Sequence, residues 1–452
     1  MNVLDAILGW SNTTPDQLAV ADGQTVLTFA DLAAAIATQQ GLLRDGGVGP
    51  GDRVGVCLTD GCPALVASLA TLAAGGVHVP IDHQLTPREQ AELIGQSGVN
   101  WRLDASGLQP TGQPRPEDPL GRGASAFLRF TSGTTGDAKG VLLSHASLLA
   151  RATAAGGNLG LEPGQRMLWL LPLAYHWAAS VIAALVAGTG VVFGNRLRLA
   201  DTLGIARQHG TTLAYASPWH GQRFAAQAAG ALAPLHTLIC TTAALDQQVA
   251  EELRRTHGLS VRQALGIIEC GLPLVGPGTA AGGPGNVGKP LAGHVCRILN
   301  PDADGSGELA IAGPGLFDAY LHPWRPASTV LVDGFFATGD RASIVADGQV
   351  RLLGRLKDVI NVGGVKVFPQ DIETVLLAHP QVARCRAWPS PDSRLGEVVA
   401  VTITPTSEVV DTDLLTGALQ VWCQERLAHL KQPVIWNFGE LPVTGSGKVR
   451  RR

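Results

Sequence analysis

The sequence predicts an α/β protein with a large N-terminal domain of parallel βα-type sheets and a small C-terminal α+β domain. Apolar runs typical of buried strands alternate with helical stretches through most of the chain. Beyond Glu308 this alternation gives way to short strands separated by turns. A length of 452 residues exceeds the size at which one hydrophobic core keeps growing, so we expect at least two domains.

The strand–helix–strand pattern is clearest early in the chain. The run DRVGVCLTD predicts a buried strand, GCPALVASLATLAAGG a helix ended by its glycines, and VHVPI the next strand. Further strands are predicted at TLAYASP, LHTLICT and SVRQALG, with a helix over Asp246–His257. Strands joined through helices in this order indicate parallel sheets covered by helices.

Three other segments carry local signals. Leu103–Gly123 is rich in Pro, Gly and Asp and predicts a surface loop. The run VADGQVRLLG predicts a hairpin around Asp347 and Gly348. Trp169–Phe193 is apolar enough to resemble a membrane span, but a proline, a histidine and two glycines interrupt it, so we predict a buried helix and strand. A boundary near Gly354 would give domains of residues 1–354 and 355–452.

Composition narrows the class of protein. Lys and Arg total 34 against 37 for Asp and Glu, a net charge of −3, so no extended nucleic-acid or acidic-membrane surface is indicated. Seven cysteines without a CxxC pair fit neither a disulfide framework nor a zinc site. The N-terminus lacks the basic and apolar regions of a signal peptide. We therefore expect a cytoplasmic protein with reduced thiols and no membrane span.

The stretch FTSGTTGDAKG, residues 130–140, predicts a phosphate-binding loop. Small residues expose backbone N–H groups, and Lys139 adds positive charge. It is not the common P-loop, because Gly140 rather than Ser or Thr follows the lysine. A mobile surface loop is the alternative, but it explains the glycines better than the ordered hydroxyls that end in a lysine.

This stretch closely resembles the phosphate-binding signature of the adenylate-forming superfamily, which contains acyl- and aryl-CoA ligases, freestanding adenylation domains and luciferases. Other segments resemble the family's motifs in the family's order: GVGPGDRVGVCL, AAGGVHVPIDHQLTPRE, VGKPLAGHVCRI, GELAIAGPGLFDAYL, DGFFATGD, GRLKDVINVGGVKVFPQDIE and LPVTGSGKVRRR. The resemblance implies the adenylate-forming architecture and an AMP-forming carboxylate–CoA ligase. Such an enzyme uses ATP and Mg²⁺ to make an acyl adenylate, releases pyrophosphate, and transfers the acyl group to coenzyme A.

The resemblance also implies how ATP is held. Asp340 would accept hydrogen bonds from both ribose hydroxyls, with assistance from Arg355. Glu269 would bind Mg²⁺, which suits one carboxylate beside phosphate oxygens. The adenine would lie against Ala264, Leu265 and Gly266. The triphosphate would be bound by Thr131, Ser132, Gly133, Thr134, Thr135, Gly136 and Lys139.

This chain departs from the family's pattern beside Glu269. Leu265 stands where an aromatic residue is usual, and Ile268 where a threonine hydroxyl normally contacts phosphate. The lost donor is worth roughly 1 kcal/mol or more, so we expect weaker ATP binding without loss of the reaction. Some aryl-acid-activating members also lack that threonine, which favours an aromatic acid slightly. The run CTTAA replaces a turn that is glycine-rich in the family.

The remaining implied residues belong to the acyl and thiol steps. Lys448 would reach the acyl carboxylate and α-phosphate, and with Glu269 and Lys139 it forms the predicted catalytic set. A hinge at Lys357 would swing Gly363 and Gly364 toward the site, where glycines let a pantetheine arm pass. For Gly363 and Gly364 a plain β-turn is also compatible.

The acid pocket is predicted from two segments that the resemblance indicates. No aspartate occurs between positions 171 and 191, which disfavours an α-amino acid, and the surrounding residues favour an aryl or medium-length acyl acid. Whether His176 contacts the acid or lies in the core is left open. The pocket candidates are Tyr175, His176, Trp177, Gly266, Ile267 and Ile268.

Two alternatives to coenzyme A ligation remain. The acceptor could be the phosphopantetheine of an acyl carrier protein, since the thiol arm is the same. A degenerate, non-catalytic binder of ATP or acid is disfavoured, because the lysine, glutamate, aspartate and arginine positions are all retained. The expected partners are therefore a small carboxylic acid, ATP and coenzyme A, without nucleic acid. The oligomeric state is left open.

Overall fold

The computed structural model describes residues 2–121, 123–131, 139–196, 198–243, 245–277, 285–363, 365–406 and 411–441. The chain divides into two compact units. The larger comprises Met1–Thr279, Lys289–Val295 and Ile311–Phe336, and the smaller comprises Ala280–Gly288, Cys296–Ala310 and Ala337–Arg452. The boundary near Gly354 and the hinge at Lys357 stay predictions.

The helices of the described residues lie mostly in the larger unit. A π-helical turn over Trp177–Val181 separates the seventh from the eighth. Their bounds are α1 Val3–Leu8, α2 Trp10–Thr13, α3 Phe29–Asp45, α4 Cys62–Ala73, α5 Pro87–Ser97, α6 His145–Leu159, α7 Leu173–His176, α8 Ile182–Val186, α9 Leu199–Gln208, α10 Pro218–Ala225, α11 Gln247–His257, α12 Pro369–Leu377 and α13 Thr412–Gln424.

The strands are short, as expected for buried α/β sheets. Their bounds are β1 Leu18–Ala21, β2 Val26–Thr28, β3 Arg53–Cys57, β4 Val77–Pro80, β5 Trp101–Asp104, β6 Gly107–Pro110, β7 Ser125–Thr131, β8 Lys139–Ser144, β9 Arg166–Trp169, β10 Gly190–Phe193, β11 Leu213–Ala216, β12 Thr237–Cys240, β13 Ser260–Ile267, β14 Gly271–Pro277, β15 Asn286–Pro290, β16 Val295–Leu299, β17 Gly307–Ala312, β18 Ala319–Tyr320, β19 Arg325–Pro326, β20 Phe336–Ile344, β21 Val350–Arg355, β22 Ile360–Val362, β23 Val365–Val367, β24 Val382–Asp392, β25 Gly396–Pro405 and β26 Ile435–Phe438.

Two mixed sheets form the larger unit. One runs in the order β14-β13-β12-β11-β9-β10-β1-β2, and its strands from β13 to β1 are parallel. The other runs in the order β19-β18-β8-β7-β4-β3-β5-β6, with a parallel centre from β7 to β5. Parallel strands joined through helices are the predicted α/β class, which is confirmed.

The smaller unit contains most of the short strands predicted beyond Glu308, whereas β18 and β19 belong to the larger unit. The order β16-β17-β20-β21-β15 forms one group. A second sheet, β23-β22-β25-β24 with β26 beside β25, packs on α12 and α13 around Ile360, Ile372, Val401 and Leu419. The predicted hairpin is β20–β21, and Gly348 in its turn has a φ of 83°.

Local sequence explains where α11 begins and ends. The Asp246 carboxylate accepts hydrogen bonds from the backbone N–H groups of Gln248 and Val249, which satisfies donors that a helix start leaves open. Gly258 ends the helix in the left-handed conformation at a φ of 67°. The predicted helix Asp246–His257 therefore forms with its first residue as the cap.

The loop predicted over Leu103–Gly123 is wrong in its first part. Strands β5 and β6 pair there as an antiparallel hairpin. The Asp104 carboxylate accepts hydrogen bonds from the backbone N–H and the hydroxyl of Ser106, and Gly107 has a φ of 106°. Four-residue strands are too short to produce a readable alternation of apolar residues, so the turn residues dominated the prediction.

The apolar segment Trp169–Phe193 is mostly buried, as predicted. It contains the end of β9, helices α7 and α8 and strand β10, whose residues are all buried. Across the described part of the chain, no helix has both the length and the apolar character needed to cross a membrane. No disulfide forms among the described residues, which include all seven cysteines, and six of the seven are buried.

Candidate active site

The side chains of Lys139, Tyr320 and Glu269 lie together in the larger unit. Lys139 begins β8 and is paired with Thr131 at the end of β7, so residues 132–138 connect these two strands. The Lys139 ammonium lies 5.1 Å from the centroid of the Tyr320 ring. The Tyr320 hydroxyl donates a hydrogen bond of 2.8 Å to Glu269 Oε1. Two predicted catalytic residues thus meet through a tyrosine that the sequence analysis did not single out.

Tyr320 is built to act as a hydrogen-bond donor. Its strand β18 pairs with β8, with Tyr320 opposite Val141, which places the ring near the first residues of β8. Burial, followed by the charge of Glu269, raises the pKa of the Tyr320 phenol. The phenol therefore stays protonated. A hydrogen bond to an ionised carboxylate is shorter and stronger than one between two neutral groups. The Tyr320 hydroxyl therefore orients one carboxylate oxygen of Glu269.

Arg151 of α6 holds the backbone around Glu269. Its guanidinium is buried, with Nε and Nη2 donating to the Gly315 carbonyl and Nη1 donating to the Ile268 carbonyl at 2.8 Å. The Phe317 N–H donates to the Glu269 carbonyl at 2.8 Å. Burial lowers the pKa of Arg151 to about 10, which leaves it cationic at neutral pH. The backbone that carries Glu269 is therefore fixed by groups from two other segments.

The predicted adenine segment is the end of β13. The Thr241 hydroxyl, just after β12, donates to the Ala264 carbonyl at 3.0 Å. Pairing with β14 is irregular between Leu265 and Ile267, and Gly266 between them is exposed. Beyond the strand, the Cys270 N–H donates to the Ile267 carbonyl, which closes a tight turn with Glu269 inside it. The roles predicted for Ala264, Leu265 and Gly266 stay predictions.

Thr242 has an uncommon backbone conformation next to this segment. Its φ is 81°, in the left-handed region that a β-branched residue rarely occupies. Its buried hydroxyl has no hydrogen-bond partner among the residues that the structure describes. Thr242 lies in the run CTTAA, where the resembled family has glycines, and the positive φ explains why glycine suits this turn.

The three predicted pocket residues from the first segment separate in the structure. Tyr175 is 39% exposed, and its hydroxyl donates to the Asp82 carboxylate. The His176 ring lies edge-on to Trp169 at 6.2 Å between ring centroids. Trp177 is fully buried, stacked on a core phenylalanine at 5.3 Å. Contact of these residues with an acid stays a prediction, as it does for the partly exposed Ile267 and Ile268.

The predicted ribose residues meet within the smaller unit. Asp340 and Arg355 face each other across β20 and β21, and Arg355 Nε lies 2.7 Å from Asp340 Oδ1. Arg355 Nη1 donates to the Thr338 carbonyl at 3.0 Å, and the Asp340 N–H donates to the Thr338 hydroxyl at 3.1 Å. Arg355 thus orients the Asp340 carboxylate, and the roles predicted for both residues at the ribose stay predictions.

The thiol-step residues are only partly described. Lys357 is exposed in a 3-10 turn over Leu356–Asp358. Gly363 has a φ of 56° and its N–H donates to the Leu395 carbonyl, so it lies in a turn. Its role in the path of the pantetheine arm stays a prediction. The predicted residues that lie outside the described ones are Ser132, Gly133, Thr134, Thr135, Gly136, Gly364 and Lys448, and of Thr131 only the backbone is described.

Family models match most of the chain. The model described as AMP-binding enzyme matches residues 9–106 and 100–321, and the AMP-binding enzyme C-terminal domain matches residues 371–448. The chain belongs to the AMP-binding enzyme family. The adenylate-forming family indicated by the motifs is therefore confirmed.

Relatives of this AMP-binding enzyme cover it nearly end to end. A feruloyl-CoA synthase from Amycolatopsis is 30% identical over 96% of this chain and 95% of the relative. A 2-succinylbenzoate–CoA ligase from Bacillus licheniformis is 28% identical over 97% of this chain and 96% of the relative. Among solved structures, ATP-bound MatB from Rhodopseudomonas palustris is similar with a TM-score of 0.86 and 25% identity, over 99% of this chain and 97% of MatB. The architecture predicted from the motifs is confirmed.

Proposed function

We propose that this AMP-binding enzyme is a carboxylate–CoA ligase that forms an acyl adenylate from ATP and then a thioester with coenzyme A. The observation that carries the proposal is the contact of Lys139, Tyr320 and Glu269 beside the predicted phosphate loop. The full-length similarity to a feruloyl-CoA synthase and a 2-succinylbenzoate–CoA ligase supports it. ATP as the nucleotide is supported by the ATP-bound state of MatB.

In the first step a carboxylate oxygen of the acid attacks the α-phosphorus of ATP, and pyrophosphate leaves. Negative charge on the phosphate oxygens is offset by Lys139 and, by family resemblance, by Lys448. Tyr320 holds Glu269 with one oxygen engaged, and a single oriented carboxylate beside phosphate oxygens suits Mg²⁺. Mg²⁺ bound there would supply charge neutralisation of the departing pyrophosphate. Asp340, oriented by Arg355, would bind the ribose hydroxyls.

In the second step the thiol loses its proton to solvent, its sulfur attacks the acyl carbonyl, and AMP leaves with the electron pair of the broken C–O bond. Gly363 and Gly364 would line the path of the pantetheine arm. A rotation at Lys357 would bring them to the acyl adenylate. The exposed position of Lys357 in the turn after β21 is compatible with that role.

The acid class that we propose is an aryl or medium-length acyl acid. Ile267 and Ile268 are partly exposed beside Glu269 and offer an apolar wall. Feruloyl and succinylbenzoyl groups are aromatic, and the relatives that bear these names support an aryl substrate. Loading of a carrier protein is the second candidate. It is favoured by 27% identity over 97% of this chain to a stretch of a probable non-canonical nonribosomal peptide synthetase, CymA, from Salinispora arenicola, a stretch that makes up 6% of that protein.

The test is pyrophosphate release with ATP and Mg²⁺ across aryl, short, medium and long acids, with and without coenzyme A. We expect release with one acid class and a thioester only when coenzyme A is present. Glu269→Gln should lower release more than about tenfold. Glu92→Gln is the matched control, since Glu92 lies in an exposed pair with Arg88.

Other outcomes of this test are equally informative. Acid-dependent release without a coenzyme A thioester would favour the carrier protein. ATP binding without release for every acid would favour the non-catalytic binder and contradict the proposal.

A further inference from the structure

Arg129 places a positive charge beside the candidate site. It lies in β7, two residues before Thr131, which at about 3.3 Å per residue is about 7 Å from the start of the predicted phosphate loop. Alternate residues of a strand share a face, so Arg129 points to the same side as Phe127. Phe127 stacks on the buried Trp177. Arg129 is therefore the next side chain on this face toward the loop.

Two contacts with Tyr175 fix the guanidinium of Arg129. Its Cζ lies 5.2 Å from the centroid of the Tyr175 ring, and its Nη1 donates to the Tyr175 carbonyl at 2.7 Å. Tyr175 itself is tied to Asp82 through its hydroxyl. The guanidinium is thus held in place by an aromatic face and a neutral carbonyl, neither of which neutralises its charge.

No carboxylate of the described residues forms an ion pair with Arg129. Its Nε is buried and has no hydrogen-bond partner among those same residues. Burial lowers the pKa of Arg129, and Tyr175 and then Glu269 partly oppose this shift. The Arg129 side chain is partly buried. A partly desolvated charge that has no ion pair with a described carboxylate is unfavourable for folding. At the end of a strand that enters the site, such a charge indicates a ligand of opposite sign.

The chemistry around Arg129 defines that ligand. A guanidinium presents several donors in one plane and matches the two oxygens of a carboxylate or phosphate. Ile268, next to Glu269, has no side-chain hydroxyl to offer such a group. Tyr175, whose ring and carbonyl contact the Arg129 guanidinium, is one of the predicted acid-pocket residues.

We propose that Arg129 binds an anionic oxygen group of the acid substrate. The inference rests on the proposed function. The group is either the reacting carboxylate, together with the acyl phosphate that it becomes, or a second acidic group elsewhere on the same acid. Both groups present anionic oxygens to the guanidinium. They differ in which acid substrates would depend on Arg129 for binding.

The experiment compares Arg129→Gln and Arg129→Lys with the wild-type enzyme in acid-dependent pyrophosphate release. One series of acids has a single carboxylate and the other has two. Arg129→Gln should lower kcat/KM about 10- to 100-fold through the loss of a hydrogen bond between charged groups. Arg129→Lys, which keeps the charge without the planar fork, should lose less. Arg88→Gln, a change at an exposed ion pair, is the control and should act as wild type.

The two arms assign the bound group. An equal loss for both series identifies the reacting carboxylate, and a loss confined to the two-carboxylate acids identifies a second acidic group. Wild-type-like kcat/KM for Arg129→Gln with every acid would overturn the inference while leaving the ligase intact. Wild-type enzyme without release for any acid would overturn the proposed function and the inference with it.

A stability measurement separates binding from a structural role. Because Arg129→Gln removes a partly desolvated charge that has no ion pair with a described carboxylate, its melting temperature should equal or exceed that of the wild type. A lower melting temperature, with an activity loss that only tracks the loss of folded protein, would make Arg129 structural and the inference wrong.

Discussion

Replacing Arg151 by methionine tests the argument that this arginine holds the segment around Glu269. Methionine keeps an unbranched apolar chain in the core and removes every donor. The carbonyl oxygens of Gly315 and Ile268 then lose the partners that they have at 2.9 Å and 2.8 Å. Arg151 is only 2% exposed, so water does not readily replace it.

The magnitude follows from these two carbonyls. Each buried acceptor left without a partner costs about 1–3 kcal/mol. Removal of a buried charge offsets part of that cost. We therefore expect the free energy of unfolding of the larger unit to fall by about 2–4 kcal/mol. Arg151→Lys keeps the charge but offers one compact donor group, so it should give an intermediate loss.

The assay is urea unfolding followed by tryptophan fluorescence, with separate transitions fitted because the two units need not unfold together. Arg255→Met on the exposed face of α11 is the matched control, and we expect no resolvable change from it. Acid-dependent pyrophosphate release by folded Arg151→Met should also fall, because the backbone of Glu269 is no longer held. An unfolding midpoint equal to that of the wild type would refute the reasoning.

Three further predictions concern other described residues. Tyr320→Phe removes the donor to Glu269 and should raise the Mg²⁺ concentration for half-maximal pyrophosphate release about tenfold, and an unchanged Mg²⁺ titration would contradict this. Thr242→Gly relieves a φ of 81° and should raise the free energy of unfolding by about 1 kcal/mol, whereas a decrease in urea unfolding would show that the turn is not strained. His78 is buried with a pKa lowered to about 3 by desolvation, whereas its unfolded value is near 6.5. The unfolded state therefore binds the extra proton between these values, and stability is complete above about pH 6.5 and lost as pH falls. His78→Leu should flatten that pH dependence in urea titrations between pH 4 and pH 7, and parallel profiles would refute it.

The parts of the fold that the sequence predicts are those with long apolar runs. Strands β3 and β4 and helix α4 appear where DRVGVCLTD, VHVPI and the run between them indicated. The hairpin β5–β6 was missed because its strands are short and polar on one side. The motifs predicted the family correctly, and the ligase activity that they implied agrees with the named activities of the relatives.

The site could be predicted only as far as the motifs extended. Glu269 and Lys139 were found through motifs, but their link through Tyr320 spans elements far apart in sequence and required the pairing of β18 with β8. Arg151 had a readable signal, since a charged residue on the buried face of α6 beside Leu148 and Ala152 needs a partner. Which carbonyls it contacts could not be read from α6 alone, because Gly315 approaches from a distant segment.

The link between Glu269 and Tyr320 bears on how the enzyme is made. During synthesis the loop after β7 and its lysine emerge first, then Glu269, and the hydroxyl that orients this glutamate only with residue 320 of 452. A growing chain therefore contains the loop well before it contains both Glu269 and the tyrosine that orients it. Because domains generally fold as units, the hydrogen bond from Tyr320 can form only after nearly all of the larger unit has been synthesised. The chain thus gains its oriented glutamate only when nearly all of that unit has been translated.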